Sequence, residues 1–244
     1  MHRIFADLES VKSDAPILSR EAKDHLKVIR PKSGEEIELF DGKGSSRLFV
    51  YSNNALVPSA EVVFRPSPPL VTLFACVTKG QRWDWTIQKA TELGVTRIIP
   101  VISKRTIVRI SHEESALKVS RWHKIACEAA RQSAANWIPE ISPPISFDGS
   151  LDLVRLTECF VGALLDSPPE PILKALSKRK GERSPAVFVG PEGDFTPEEM
   201  EKLLSVAIPV SLGSTILRAE TAAIYALGAV KAYLDAETFH CAKR

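Results

Sequence analysis

The sequence predicts an α/β protein, a parallel sheet covered by helices on both faces, preceded by a smaller β-rich domain. Three observations predict it. From residue 71 onward, apolar runs of strand length alternate with helix-like stretches, the pattern of a sheet buried on both faces. Before residue 65 the runs are short, alternating and broken by turns. Between the two lies RPSPPL, residues 65–70, a stiff linker with three prolines in six residues. It sets a boundary between a domain over 1–69 and one over 70–244.

Residues 18–30 read as a short helix, with Ser19 as N-cap and Pro31 as its stop. EEIELFDGKGSSRLFVYS, residues 35–52, is a hairpin turned by Asp41-Gly42 and Gly44. After the linker come a strand over 71–77 and a helix over 82–93 ended by Gly94. A strand over 95–103 and a long helix over 113–134 follow. Further strands are expected over 159–165, 186–190 and 208–213. Helices over 169–179, 196–206 and 219–237 lie around them. The apolar stretch 222–234 of the last helix suits a core or an interface between copies.

Of the 244 residues, 44% are hydrophobic and 25% charged, the composition of a packed globular protein. No apolar run approaches the roughly 20 residues of a membrane span, and MHRIFADLES lacks a signal core, so a cytoplasmic location is expected. Cys76, Cys127, Cys159 and Cys241 form no C-x-x-C, and no two of the five histidines sit at i, i+4. Reduced structural thiols and no metal site are expected. Net charge is +2, but residues 70–135 hold 11 Lys/Arg against 5 Asp/Glu. That middle third is the candidate surface for a polyanion.

Two strand–glycine–helix junctions, 186–196 and 208–221, carry the site chemistry. FVGPEGDFTPEEM, residues 188–200, runs from strand to helix through Gly190, Glu192, Gly193 and Asp194. In an open α/β sheet, ligands bind at the carboxyl ends of strands, so two such junctions form two walls of one pocket. One glycine alone would merely close a turn. The chain has neither G-x-G-x-x-G nor G-x-x-x-x-G-K-[ST], and Glu192 and Asp194 would repel a phosphate at the helix entrance. A ligand with hydroxyls and positive charge fits better, and S-adenosylmethionine has both.

FVGPEGDFTPEEM followed by VSLGSTILRAETAAIYALGAV resembles the C-terminal signature of the RsmE family of ribosomal RNA uridine methyltransferases, in the SPOUT superfamily. TKGQRWDWTIQKATELGVTRIIPVISKRTIV, residues 78–108, and RWHKIACEAARQSAANWIPEI, residues 121–141, resemble two further blocks of that family. HLKVIRPKSGEEIELFDGKG, residues 25–44, resembles its small PUA-like RNA-binding barrel. The resemblance implies a SPOUT-type parallel sheet with a C-terminal trefoil knot behind a PUA-like β-barrel. It implies a homodimer that uses S-adenosylmethionine to methylate N3 of one uridine in 16S, small-subunit, ribosomal RNA, free or within the subunit. Carried over by motif, the cofactor loops hold Leu165, Gly190, Glu192, Gly193, Leu212, Gly213, Ile216 and Leu217. Arg218 is the candidate to stabilise charge on the uracil carbonyls, and Glu220, or a water chain, to take the N3 proton. The alternative for Arg218 and Glu220 is an ion pair at a helix start. The chain departs from the family at Asp194, where a second glycine is usual, and at Thr215 and Ala219, where arginine and threonine are common. Asp194 is expected to cap the helix that follows.

Competing readings are an inactive RNA-binding relative, a ribose 2′-hydroxyl methyltransferase and a nucleotide-binding enzyme. The last lacks its phosphate fingerprint, and the second lacks an asparagine motif at the final turn. Arg121, Lys124, Glu128 and Arg131 share one helix face opposite Trp122, Ile125, Ala126 and Ala129. With Lys79, Arg82 and Lys89 these cations are the candidates for phosphate contact, and Lys104 and Arg105 are further ones. Trp83 and Trp85 suit base stacking or the core.

Overall fold

The computed structural model describes residues 1–165 and 167–241. The chain divides into two compact units, Met1–Pro68 with Ala126–Ile138, and Pro69–Ile125 with the chain from Pro139 onward.

The first unit is built from β1 (His2–Phe5), α1 (Leu8–Lys12), α2 (Arg20–Ile29), β2 (Glu36–Phe40), β3 (Ser45–Ser52), β4 (Ala55–Pro58) and β5 (Val63–Phe64). The strands form one mixed sheet in the order β1-β2-β3-β4, with β5 also on β3; β1 and β2 are parallel and the other pairs antiparallel. Ser19 caps α2 as expected, its hydroxyl accepting from the Ala22 N–H at 3.1 Å. The hairpin turns where the Asp-Gly signal lies. Asp41 Oδ1 accepts from the N–H groups of Lys43 and Ser45, at 2.7 and 2.9 Å. Ile4, Val11, Ile37, Leu39 and Phe49 form the core of this unit.

The second unit continues with β6 (Thr72–Cys76), α3 (Gln81–Glu92), β7 (Arg97–Ile102), α4 (His112–Gln132), β8 (Glu140–Ile141), β9 (Ile145–Ser146), α5 (Phe147–Val154) and β10 (Glu158–Gly162). It ends with α6 (Ile172–Leu176), β11 (Pro185–Val189), α7 (Pro197–Leu204), β12 (Ile208–Val210) and α8 (Ala219–Cys241). Its seven strands are all parallel, in the order β12-β10-β11-β6-β7-β8, with β9 also on β7. The central strands β6 and β11 are buried along their whole length, which is why they read as unbroken apolar runs. Phe74 and Phe188 stack at 5.5 Å between them, in a core that includes Phe147, Val161, Phe195 and Leu203. Burying each such ring contributes about 1.5–3 kcal/mol. Helix α4 begins in the second unit, and its last turns, from Ala126, cluster with the first.

Several elements differ from the sequence reading. The expected strand over 159–165 ends at Gly162. Helices α1 and α5 and the two-residue strands β8 and β9 had no periodicity long enough to predict them. Asp194 does not cap α7. Thr196 does, its hydroxyl accepting from the Glu199 N–H at 3.3 Å while Glu199 Oε2 accepts from the Thr196 N–H at 3.0 Å. Asp194 has a φ of 58°, the left-handed conformation that suits the glycine usual there and that Asp tolerates better than most residues. Its own carboxylate accepts from the Phe195 N–H at 2.7 Å.

Cys76, Cys127 and Cys159 are free thiols. Burial pushes Cys76 and Cys127 up to about 12 and Cys159 upward as well, which disfavours the reactive thiolate form. The side chains of His240 and Cys241 lie outside the described residues. Among the described residues no helix is long and apolar enough to cross a membrane.

Candidate active site

In a parallel sheet every strand ends on the same edge. The turns after β6, β10, β11 and β12 therefore share one edge, and β12, β10 and β11 are consecutive neighbours. The bends after β11 and β12 are two strand spacings apart, about 10 Å. They are the bends whose sequences suggested a site.

The bend after β11 is anchored from three sides. The Asp194 N–H donates to the Pro191 carbonyl at 2.9 Å, closing the turn. Arg105 Nη1 donates to the carbonyls of Gly193 and Phe195, at 2.8 and 3.2 Å, and Glu199 Oε1 accepts from the Lys104 N–H at 2.8 Å. Gly190 lies against the Phe195 ring, 3.0 Å from where a Cβ would stand, so the turn folds directly over an aromatic core residue. Arg105 thus holds protein backbone, a role its position in a basic segment did not reveal.

The bend after β12 is anchored at its base and open above. The Ser211 N–H donates to the Glu170 carbonyl at 2.9 Å, and the Ile172 N–H to the Ser211 carbonyl at 3.1 Å. Leu212 presses on Gly162, where a Cβ would lie 2.8 Å from Leu212 Cδ1. Gly213 takes φ 128°, with open space where a Cβ would be. From residue 214 to 217 the backbone N–H groups have no hydrogen-bond partner among the described residues. Ile216 is exposed, Leu217 and Leu165 are half-buried, and α8 begins at Ala219.

Arg82, in the first turn of α3, joins the two bends. Its Nη1 donates to Glu192 Oε1 at 3.0 Å, and its Nε lies 4.0 Å from Glu220 Oε1. Glu220 is buried, with 9% of its side chain exposed, and its Oε2 has no hydrogen-bond partner. A buried carboxylate with one oxygen facing a cation and the other unpartnered is set to accept a proton or a donor from a ligand. At the end of β6 the hydroxyl of Thr78 is also buried without a partner. Arg218 is exposed and has no ion partner among the described residues, so the alternative Arg218–Glu220 pair does not form.

The remaining cations divide. Arg121 pairs with Asp84, Arg131 with Glu128, and Lys89 with Glu92 at 2.8 Å. Arg121, Lys124 and Glu128 are exposed on one face of α4 and Arg131 is half-buried, while Trp122, Ala126 and Ala129 are buried. Lys79 is exposed just before α3. Trp83 is core, edge-to-face with Trp122 at 5.5 Å, whereas Trp85 is exposed. A hollow of about 350 Å³ between Glu158, Lys180, Arg183 and Ile208 lies at the amino-terminal ends of β10 and β12, the edge opposite the bends.

Sequence reasoning missed Gly162, Thr78 and the bridging role of Arg82. A glycine at the end of an apolar strand signals a close approach of another chain segment, and Gly162 carried that signal unread.

A family described as RNA methyltransferase domain matches residues 65–231. The ribosomal RNA small subunit methyltransferase E of Bacillus subtilis is 36% identical over 68% of this chain and 67% of its own length. That of Synechocystis is 31% identical over 86% of this chain and 70% of its own. The chain belongs to the ribosomal RNA small subunit methyltransferase E family. A solved member of this family from Neisseria gonorrhoeae, bound to S-adenosyl methionine, is 31% identical over 95% of this chain and 97% of its own, with a TM-score of 0.79. A methyltransferase of Legionella pneumophila, in complex with the cofactor SAM, is 31% identical over 94% and 96%, with a TM-score of 0.78.

Proposed function

We propose that this member of the family transfers the methyl group of S-adenosylmethionine to N3 of one uridine of 16S ribosomal RNA, free or in the small subunit. The observation that carries this reading is Arg82 joining Glu192, on one bend, to buried Glu220, beside the other. The residues fit the cofactor: a glycine with open space above it, a run of unpartnered backbone N–H groups and two carboxylates on one edge suit a nucleoside bearing hydroxyls and positive charge. Gly190, Glu192 and Gly193 form one wall, Leu212, Gly213, Ile216 and Leu217 the other, and Leu165 follows the strand between them.

S-adenosylmethionine, held between these two walls, would supply a methyl group activated by its sulfonium, the carbon–sulfur bond breaking with its electron pair kept on sulfur as the carbon–nitrogen bond to N3 forms. The protein has to align N3 with that carbon near ~3 Å and remove the N3 proton. Glu220 Oε2 accepts the proton. Arg218, free at the rim, balances the negative charge that spreads to the uracil carbonyls. Lys79, Arg82, Lys89, Arg121, Lys124 and Arg131 are the proposed phosphate contacts; exposed ion pairs are weak, so that of Arg121 yields to a phosphate at small cost, and the half-buried pair of Lys89 at a larger one.

Four wider features belong to the same reading. A return of α8 from β12, outside β10, to pack on β11, β6 and α3 supports a threaded, trefoil-knotted C-terminus. A PUA-like barrel over 1–69 goes with the mixed sheet of the first unit, and the SPOUT domain with 70–244. Exposed Ile216 and Tyr225 support a homodimer, and a ribosomal substrate goes with a cytoplasmic location.

The test is mass mapping of 16S ribosomal RNA from a strain lacking the protein, together with calorimetry of the purified protein and S-adenosylmethionine. Loss of one N3-methyluridine and measurable binding are expected. An unchanged modification pattern overturns the substrate, and absent binding favours the inactive RNA-binding relative. Gly162→Val is expected to drive Leu212 outward at a cost of about 1–3 kcal/mol. Where that cost is expressed in the bend, S-adenosylmethionine binds tenfold or more weakly by calorimetry; undiminished affinity would show that the Gly162–Leu212 contact does not shape the pocket.

A further inference from the structure

The first unit carries an exposed aromatic ring that its own packing holds in place. Phe64 lies on β5, a two-residue strand paired to β3, and is 64% exposed. Single exposed apolar side chains are common and need no explanation. Phe64 differs in what stands behind it. The Trp137 ring meets it edge-to-face, with centroids 6.3 Å apart and planes at 75°. Trp137 is itself fixed, its Nε1 donating to the Arg65 carbonyl at 3.0 Å and its backbone bridged to Lys43. Gly44 forms the floor, with φ 104°. A Cβ there would stand 2.5 Å from the Arg65 carbonyl oxygen, 2.8 Å from the Trp137 ring and 2.9 Å from the Phe64 ring. The hairpin turn is thus pressed into the ring pair, and only glycine permits it.

Two cations neighbour the ring along the chain: Arg65 follows Phe64, and Lys43 sits in the turn beside Gly44, bridged to Trp137. Lys43 and Arg65 are exposed, and neither side chain has a hydrogen bond or ion partner among the described residues. Asp41, in the same turn, is buried and accepts from two backbone N–H groups.

We propose that Phe64, backed by Trp137 and neighboured by Lys43 and Arg65, is a stacking platform for an unpaired base of single-stranded RNA. A ring fixed from behind and open in front offers a π-face that loses little freedom on binding, and the two cations supply the attraction to phosphate. Charge complementarity favours a polyanion over a protein here, because the two cations nearest the ring are exposed and have no carboxylate partner among the described residues. The inference rests on the RNA substrate proposed above and names where the first unit would grip it.

The test uses the full-length protein and a fluorescein-labelled 12-nucleotide oligouridine, with anisotropy measured across a salt series. Phe64→Ala is expected to weaken binding roughly 5- to 100-fold with the salt slope unchanged, and Phe64→Trp to retain it. Lys43→Gln and Arg65→Gln each lower the salt slope by about one. Wild-type affinity in Phe64→Ala overturns the proposal. So does a shift in its sedimentation from dimer to monomer, which assigns the ring to a contact between copies. Calorimetry with S-adenosylmethionine is unchanged by Phe64→Ala. Absence of cofactor binding in the wild type sinks the methyltransferase reading and leaves this platform standing, so the two failures are distinguishable.

Discussion

Arg82→Gln is expected to lower methyl-transfer turnover about 100-fold while leaving the fold close to wild type and weakening the binding of S-adenosylmethionine, whose pocket wall includes Glu192, by less than that. Arg82 is the group through which the bend after β11 and the start of α8 meet, at 3.0 Å from Glu192 and 4.0 Å from Glu220. Glutamine is two atoms shorter than arginine, so its amide stops short of Glu192, and it removes the charge that holds two carboxylates together. Half of the Arg82 side chain is exposed, so the loss in stability is small. The loss in rate is not, because a displacement of about 1 Å in a reacting group costs on the order of 100-fold. Lysine is a point charge without the guanidinium fork, so Arg82→Lys recovers part of the rate. Glu220→Gln removes the proposed proton acceptor and loses about 100-fold or more. The double variant Arg82→Gln/Glu220→Gln loses no more than the worse single one, since both changes disable one unit. Additive losses in single-turnover kinetics would show that Arg82 contributes separately, as a phosphate contact alone.

The fold was legible where a local rule and the tertiary context agree. Strands β6 and β11 are buried on both faces and read as apolar runs; Ser19, Asp41-Gly42 and Gly94 punctuate the chain through their own hydrogen bonds or φ angles. The misses have a common cause. Helix α5 and strands β8 and β9 are short segments whose structure comes from packing on the sheet edge, and no periodic window that short is decisive. Asp194 was misread because Asp suits both an N-cap and a left-handed turn, and only Thr196 with Glu199 shows which applies.

The candidate site was legible as a set of bends and illegible as a set of contacts. Gly190, Glu192, Gly213 and Glu220 stand out because their chemistry is local: a turn glycine, an acid in a turn, a buried acid at a helix start. What joins them does not, since Arg82 precedes Glu192 by 110 residues and no spacing rule spans that distance. The same limit explains Arg105. In sequence it is one cation in a basic segment, and its bonds to the Gly193 and Phe195 carbonyls exist only once β7 lies two strands from β11. Regional charge therefore overstates what is available to RNA, because part of the surplus in 70–135 is taken up by the protein's own backbone carbonyls and carboxylates.

Arg3→Ala is expected to destabilise the first unit by about 3–5 kcal/mol. Arg3 is buried and uses its whole guanidinium. Nε pairs with buried Glu38 at 2.6 Å, Nη1 donates to the carbonyls of Ala130 and Ala135 at 3.0 and 3.1 Å, Nη2 donates to Asn136, and the plane lies 4.2 Å from the Phe40 ring centroid. Alanine removes the cation and leaves the Glu38 charge in place, which is why breaking one side of such a pair costs more than the pair contributes. The effect should be local. Ala134 holds φ 57° without being glycine, a strained end for α4 in which the Ala135 N–H reaches back to the Ala130 carbonyl at 3.0 Å. Arg3 bonds the carbonyls on both sides of that bend and so fixes the last turn of a helix bearing Arg121, Lys124 and Arg131. Hydrogen exchange in Arg3→Ala should therefore lose protection first over 130–136 and along β1 and β2, with β6, β10 and β11 unchanged. Arg3→Met/Glu38→Leu, which removes both charges, should recover part of the stability while the 130–136 amides still exchange faster than in the wild type. Equal protection over 130–136 in the wild type and in Arg3→Ala would show that the helix end holds without the guanidinium.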